Sequence, residues 1–400
     1  VKDRPAALTR LLRALDAGTT PVVVVDDGST DDSGAVARAL GATVLRREHS
    51  GGPAVARNQG FEHAEGELVA FLDSDCVPEE GWLEALTAHF ADPLVGAVAP
   101  RVVVAKGSPS TRTVTGGRVR NAMRGYESAR SPLDLGPEPA AVRPGGMVPY
   151  VPGAALVVRR EAMIDAGGFD ESLRFGEDVD LVWRLHGLGW SVRFDPLGRV
   201  VHEHGRGLSS WVAARVGYGS SAAPLAQRHP GDLAPVHVSG WTATAWALAA
   251  AGAWPAGAAL AGASVWVMAR RLRSRLPPLR ERARLAASGH LAGGRQLAAA
   301  CQRAWLPILA AASLRSRRAR RVLVVTALLP GLLEWSTRSP PVGVAPYCAL
   351  RVLDDAAYCA GVWAGCVRLR TAAPLLPSWR RQKGIATSPN GGISVRPLRA

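Results

Sequence analysis

Four hundred residues, 48% of them hydrophobic, are enough to bury a core in one large domain or two ordinary ones. The net charge of +15 hides a division: Val1–Gly240 holds 25 Lys+Arg against 29 Asp+Glu, net −4, and Trp241–Ala400 holds 23 against 4, net +19. Five cysteines, an odd number with no CxxC pair, argue against a disulfide framework or a cysteine-built zinc site and suit a reducing cytosol; no signal peptide is visible.

In chain order, "TRLLRALDAG" places Leu8, Leu11, Leu12 and Leu15 on one helical face. "PVVVVDD" is a β-branched run suited to a strand buried on both sides. "SGAVARALG" then reads as helix, "ATVLRRE" as strand, "AVARNQGFEHAEG" as helix, "LVAFLD" as strand, "EEGWLEALTAHFAD" as helix and "VGAVAPRVVV" as strand. This alternation predicts an α/β fold with a mainly parallel sheet covered by helices on both faces. Between Gly107 and Pro152 the pattern loosens, and "LDLGPEPAAVRPGGMVPYVPG" reads as a mobile loop. Strand and helix return in "GAALVVRREAMIDAGGFD", "EDVDLVWRLHGLG" and "WSVRFDP".

The second half has another character. Trp241–Ala269 is 29 residues without a charge, and seven arginines follow between Arg270 and Arg284. About 20 apolar residues span a bilayer core, and a basic flank suits the cytoplasmic side, so membrane contact is expected; a buried Ala/Gly-rich hairpin broken at Pro255 is the alternative. "VLVVTALLPGLL" and "VLDDAAYCAGVWAGCV" are too short or too charged to span and read as interfacial helices. The arginine runs lack the interleaved aromatics of a nucleic-acid stacking surface, so no nucleic-acid partner is expected. The boundaries expected are 1–207 for an α/β domain, 208–378 for a helical, membrane-associated region, and 379–400 for a disordered tail.

Three acidic groups stand at or near strand ends, where open sheets bind ligands. They are Asp26–Asp27 in "VVVVDDGSTD", Asp73 and Asp75 in "FLDSD", and Glu177–Asp178 in "FGEDVDLVWRL". Taken singly, each reads better as a structural cap or a chance DxD than as a catalytic group. In combination and order, "VVVVDDGSTDDSG", "GGPAVARNQGFEHAEGELVAFLDSDC" and "GGFDESLRFGEDVDLVWRLHGLGWSVRFDPLGRVVHEHG" resemble a family 2 inverting glycosyltransferase of the GT-A fold, over roughly Lys2 to Gly207. "VPYVPGAALVVRREAM" and "GYGSSAAPLAQRHPG", with the weakly apolar C-terminal region, resemble the mycofactocin-type membrane sugar transferases of actinobacteria.

The resemblance implies a Rossmann-like domain that binds a nucleotide-sugar through Mg²⁺ or Mn²⁺. Asp75 would be the first metal ligand, with Asp73 on metal or ribose, and His202 or His204 completing the shell or touching a phosphate. Asp26 and Asp27 would face uracil and ribose, and Arg57 would hold base or phosphate. Asp178 would be the general base and Glu177 the residue that orients it. Arg184 is a substrate-binding candidate, against an internal pair with Asp180. The implied reaction moves glucose from UDP-glucose onto mycofactocin as an oligosaccharide, at the cytoplasmic face of the inner membrane. A polyprenol- or cell-wall-directed enzyme, with a lipid or glycan acceptor, is the alternative. The family begins with a strand before "VKDRPAAL", which is expected to be missing here through truncation; a non-catalytic nucleotide-binding remnant is the reading from a different class.

Overall fold

The computed structural model describes residues 1–15, 21–105, 117–203, 207–271 and 278–379. The chain forms two compact units, one of residues 1–235 and 297–376, the other of 236–296 and 377–400.

The first unit opens with α1 (Pro5–Ala14), started by proline at its first position and burying Leu8, Leu11 and Leu12. Then follow β1 (Val23–Asp27), α2 (Ser33–Ala39), β2 (Thr43–Arg47), α3 (Pro53–His63), β3 (Leu68–Leu72), β4 (Cys76–Pro78), α4 (Trp82–Thr87) and β5 (Val95–Val104). Next are α5 (Gly117–Arg130), β6 (Ala140–Val142), β7 (Ala155–Arg159), α6 (Arg160–Asp165), α7 (Glu177–Gly187), β8 (Ser191–His202), α8 (Leu208–Ser220) and α9 (Ala222–Arg228). The expected elements form close to where the periodicity puts them.

The sheet corrects one expectation. β1 and β2 pair in parallel as their own ribbon, and the main sheet runs β3-β7-β5-β8-β4 with β6 added against β8. Only β5 and β8 are parallel in it; β7 is antiparallel to both β3 and β5, and β4 and β6 are antiparallel to β8. The sheet is mixed, not mainly parallel. The strand–helix alternation fixes direction only across a crossover helix. β7 arrives by the irregular path after β5, where the sequence sets no direction. That path also contains α5, whose Met123, Tyr126 and Glu127 are buried, in the stretch where the sequence pattern loosens. The start of the chain lies along β1: the Val1 ammonium donates to Val25 O at 2.6 Å, and Asp27 N donates to Val1 O at 2.9 Å.

α13 (Leu306–Arg315), α14 (Arg317–Arg338) and α15 (Val344–Arg368) also belong to the first unit, as does the end of α12 (Leu279–Arg303). The interfacial reading of "VLDDAAYCAGVWAGCV" is overturned, because α15 is a core helix. Asp354 and Asp355 are 4% and 2% exposed. Their charges are met by Arg215, whose Nε is 3.1 Å from Asp354, and Arg303, whose Nε is 2.6 Å from Asp355. α8 and α15 touch backbone to backbone: a Cβ on Gly219 would stand 2.0 Å from Tyr358 O, and one on Gly361 2.0 Å from Val216 O. This contact draws segments past residue 207 into the unit that holds the sheet.

In the second unit, β9 (His237–Val238) pairs with β10 (Ser378–Trp379), and α10 (Gly240–Ala250) is followed by α11 (Trp254–Arg271). The uncharged run is thus a helical hairpin, neither one straight span nor a buried one. Trp241, Trp246, Trp254 and Trp266 are 54%, 40%, 70% and 56% exposed. Among the described residues no single helix is long and apolar enough to cross a membrane. The expected disordered tail lies outside the described residues from position 380 on.

Candidate active site

Asp73 closes β3 and Asp75 precedes β4, so "DSD" is a tight turn, fixed by Cys76 N donating to Asp73 O at 2.9 Å. Antiparallel pairing sets Cys76 of β4 opposite His202 at the end of β8. That register brings the His202 Nε2 to 3.5 Å from Asp75 Oδ2. The Arg4 guanidinium, just before α1, forms an ion pair with the same Asp75 oxygen. Burial works against the ionised Asp75, but the hydrogen bond and charge of His202, and then Arg4, hold its carboxyl far below the usual range.

Arg57 on α3 joins the two outer motifs. Its Nη2 donates to Asp73 Oδ1 and its Nη1 to Glu177 Oε1, both at 2.8 Å. Its guanidinium lies 5.3 Å from the centre of the Phe169 ring, which further fixes it. The expected base- or phosphate-holding arginine is therefore a bridge between carboxylates. Glu177 and Asp178 open α7, whose amide dipoles favour acids there. Asp178 accepts from Gly153 N at 2.8 Å and from its neighbour Val179 N at 2.8 Å, so both oxygens are oriented by backbone. Glu177 is 6% exposed; burial first, then the adjacent Asp178, push its carboxyl up to about 7 against the pull of Arg57. One guanidinium facing Asp73, Glu177 and Asp178 leaves a carboxylate excess, which favours a proton on the most buried of them.

Other candidates have internal duties. Asp26 is fully buried; its Oδ1 accepts from Ser29 N at 3.0 Å, and Arg46, its register partner on β2, pairs with its Oδ2. Asp27 accepts from Gly51 N at 2.8 Å, Gly52 N at 3.0 Å and Ser50 Oγ at 2.7 Å. Asp27 shapes the loop before α3, and Asp26, fully buried, shapes the turn after β1. Arg184 donates to Asp180 Oδ2 at 2.7 Å, to Gly168 O at 2.8 Å and to Ala166 O, so it ties α7 to the end of α6, with the internal Asp180 pair that the sequence allowed. His204 lies outside the described residues. Arg4 was missed by the sequence reading: "KDRP" signals a helix start, and nothing local announces a partner across the sheet.

A divalent cation fits the DSD turn. Asp75 already carries a guanidinium as a stand-in cation, and His202 Nε2 lies beside it. Among the described residues no three His, Cys, Asp or Glu side chains converge on one point. Such a donor set suits a hard cation that keeps waters and takes phosphate oxygens as its other ligands.

Residues 3–159 match the family described as glycosyl transferase family 2. A pre-mycofactocin glycosyltransferase of Mycobacterium tuberculosis H37Rv is 39% identical over 393 residues, covering 95% of this chain and 81% of that protein. The glycosyltransferase AglE of Haloferax volcanii is 26% identical over 197 residues, 47% of this chain and 59% of its own. Among solved structures, a mannosyltransferase from Pyrobaculum calidifontis overlays with a TM-score of 0.47 at 18% identity, covering 91% of this chain and 85% of that one. Membership rests on the first two findings. The mixed sheet with its helices is the GT-A type of glycosyltransferase fold, and the chain belongs to glycosyl transferase family 2.

Proposed function

We propose that this glycosyltransferase carries out a metal-dependent, inverting transfer of a hexose, glucose from UDP-glucose, to a hydroxyl of a mycofactocin-type acceptor, one sugar after another. The donor follows the resemblance alone, and the acceptor also the name of the 39% identical relative. The observation that carries the mechanism is Arg57, which links Asp73 of the DSD turn to Glu177 beside Asp178. A donor diphosphate at the turn and an acceptor at the start of α7 would then share one cleft.

In this reading Asp75, with His202 or Asp73 as the second protein ligand, would hold Mg²⁺ or Mn²⁺, which would neutralise charge on the departing diphosphate. Asp178, both oxygens oriented by backbone N–H groups, takes the acceptor proton as the hydroxyl oxygen attacks the anomeric carbon. The new C–O bond forms as the bond to the diphosphate breaks, and UDP leaves with the electron pair. Arg57 holds Glu177 beside Asp178 and ties the pair to Asp73 of the DSD turn. Asp27 keeps the loop at Gly51–Gly52 in shape for the nucleotide.

The same reading puts the enzyme on the cytoplasmic face of the cell membrane, open to the cytosol where nucleotide-sugars are made. Exposed tryptophans on α10 and α11 support it, as do exposed Val324, Val325, Leu328, Leu329, Leu332 and Leu333 on α14. Arg317, Arg318, Arg320 and Arg321 at the start of α14 suit anionic headgroups. The testing experiment is a donor screen that measures UDP release from several UDP-sugars with Mn²⁺ and with chelator. UDP-glucose should be preferred and the chelator should stop release; indifference to the chelator contradicts the metal, and preference for another sugar contradicts the donor.

A further inference from the structure

Four arginines reach the aspartates of the first two acidic motifs, and three of their guanidiniums have two partners each. Arg46 pairs with Asp26 Oδ2 and donates to Ser29 O at 2.8 Å. Arg47 lies 3.0 Å from Asp27 Oδ1 and donates to Gln59 Oε1 at 3.0 Å. Arg57 spans Asp73 and Glu177. Arg4 differs: among the described residues its guanidinium bonds a single oxygen, Asp75 Oδ2, and its side chain is 30% exposed against 12% for Arg57.

The backbone of Arg4 is fixed, while its side chain is held at one point. Its N–H donates to Ser33 Oγ at 3.1 Å, and its carbonyl accepts from Leu8 N at 3.0 Å. One residue earlier, Asp3 N donates to Ser29 Oγ at 3.1 Å and Asp3 Oδ1 accepts from Thr30 N at 2.7 Å. Arg4 therefore starts beside the loop that follows β1 and reaches across to the DSD turn. α1 has a separate mooring there. Arg10 pairs with Glu203, whose N–H donates to Asp75 O at 2.8 Å. The Arg4 guanidinium can leave Asp75 without releasing the helix.

A divalent cation and a guanidinium compete for the same Asp75 oxygen. A cation that wins it brings phosphate oxygens with it and leaves Arg4 beside them. A planar guanidinium matches phosphate oxygens with two parallel hydrogen bonds. We propose that Arg4 is a ligand of the donor diphosphate: it rests on Asp75 until a cation replaces it, then turns to a phosphate oxygen by rotation of its side chain. The inference rests on the reading of the DSD turn as the seat of cation and diphosphate. Arg4 then opposes the bare cation and favours the cation with nucleotide. Metal and nucleotide each bind more tightly in the presence of the other, by the same factor.

Calorimetric titration of the full chain with Mn²⁺ alone, and with UDP at saturating Mn²⁺, compares the wild type with Arg4→Gln. Mn²⁺ alone should bind Arg4→Gln about 1.5- to 5-fold more tightly, the scale of a part-exposed ion pair. UDP with Mn²⁺ should bind it about 10-fold more weakly, the scale of one hydrogen bond to a charged group. Uridine, which has no phosphate, should bind both proteins alike by saturation-transfer NMR. A merely structural arginine does not give opposite signs in the two titrations. UDP bound equally by both proteins overturns the inference and leaves the donor reading standing. Weakening of both Mn²⁺ and UDP makes Arg4 a support of Asp75 and overturns it too. A wild type that binds Mn²⁺ but no UDP sinks the donor reading and the inference with it. Should Arg4→Gln lose uridine through misfolding, Arg4→Met, of similar length, decides by the same three measurements.

Discussion

At Asp75 a guanidinium stands where the proposed mechanism puts a metal. Arg4 and a divalent cation cannot share one carboxylate oxygen, so Arg4→Gln should bind Mn²⁺ more tightly without nucleotide. A part-exposed ion pair of about 0.2–1 kcal/mol sets the gain at about 1.5- to 5-fold, readable by titration calorimetry. Weaker binding would make Arg4 a support of the site, and Asp75→Ala should abolish binding altogether. Glu177 gives a pH signature. Its folded carboxyl sits at about 7 against an ordinary 4.5, so the folded protein keeps a proton that the unfolded chain releases between those values. Stability therefore falls as pH rises through that window, by on the order of 1–3 kcal/mol, and the slope should vanish in Glu177→Gln. Denaturant midpoints from pH 4.5 to 8 check it, and parallel profiles for both proteins would contradict it. At this scale the acidic motifs were legible because turn and helix-start residues cluster locally. The partners of Arg57, Arg4 and Asp26 were not, because each is a contact across the sheet or between strands.

Elements were legible where periodicity is strong, as in α1, β1, α3 and α7. Strand direction was not, because β7 and β4 enter the sheet without a crossover helix. The burial of α15 was hidden as well: Asp354 and Asp355 read as solvent-facing acids until Arg215 and Arg303 arrive from α8 and α12 to pair with them. The glycines at the α8–α15 contact explain why these helices meet so closely. Gly361→Ala would force a Cβ onto Val216 O, so the pair must part, costing about 1–3 kcal/mol. Gly343→Ala, whose nearest neighbours are at ordinary contact distance, is the control. Urea midpoints should drop for the first and barely move for the second; equal midpoints would mean the contact is looser than the geometry shows.

For the whole molecule, the division into a net −4 half and a net +19 half remains the broadest signal in the sequence, and the proposed catalytic carboxylates all fall within the acidic half of the chain. The arginines should draw the protein to anionic vesicles, and the exposed tryptophans and leucines should hold it there once salt screens the charges. Sedimentation that survives about 1 M salt is the expected outcome, since screening at that strength leaves only apolar anchoring. Release by salt alone would leave the arginines as the sole anchor. The central claim, a transferase whose start of α7 supplies the base, meets its most direct test in Asp178→Asn of the intact protein. UDP binding with metal and transfer from UDP-glucose are measured side by side. The account predicts unchanged binding and transfer lowered by about 10²–10⁴-fold, the usual range for loss of a general base. Transfer at the wild-type rate, or binding and transfer lost together, would contradict it.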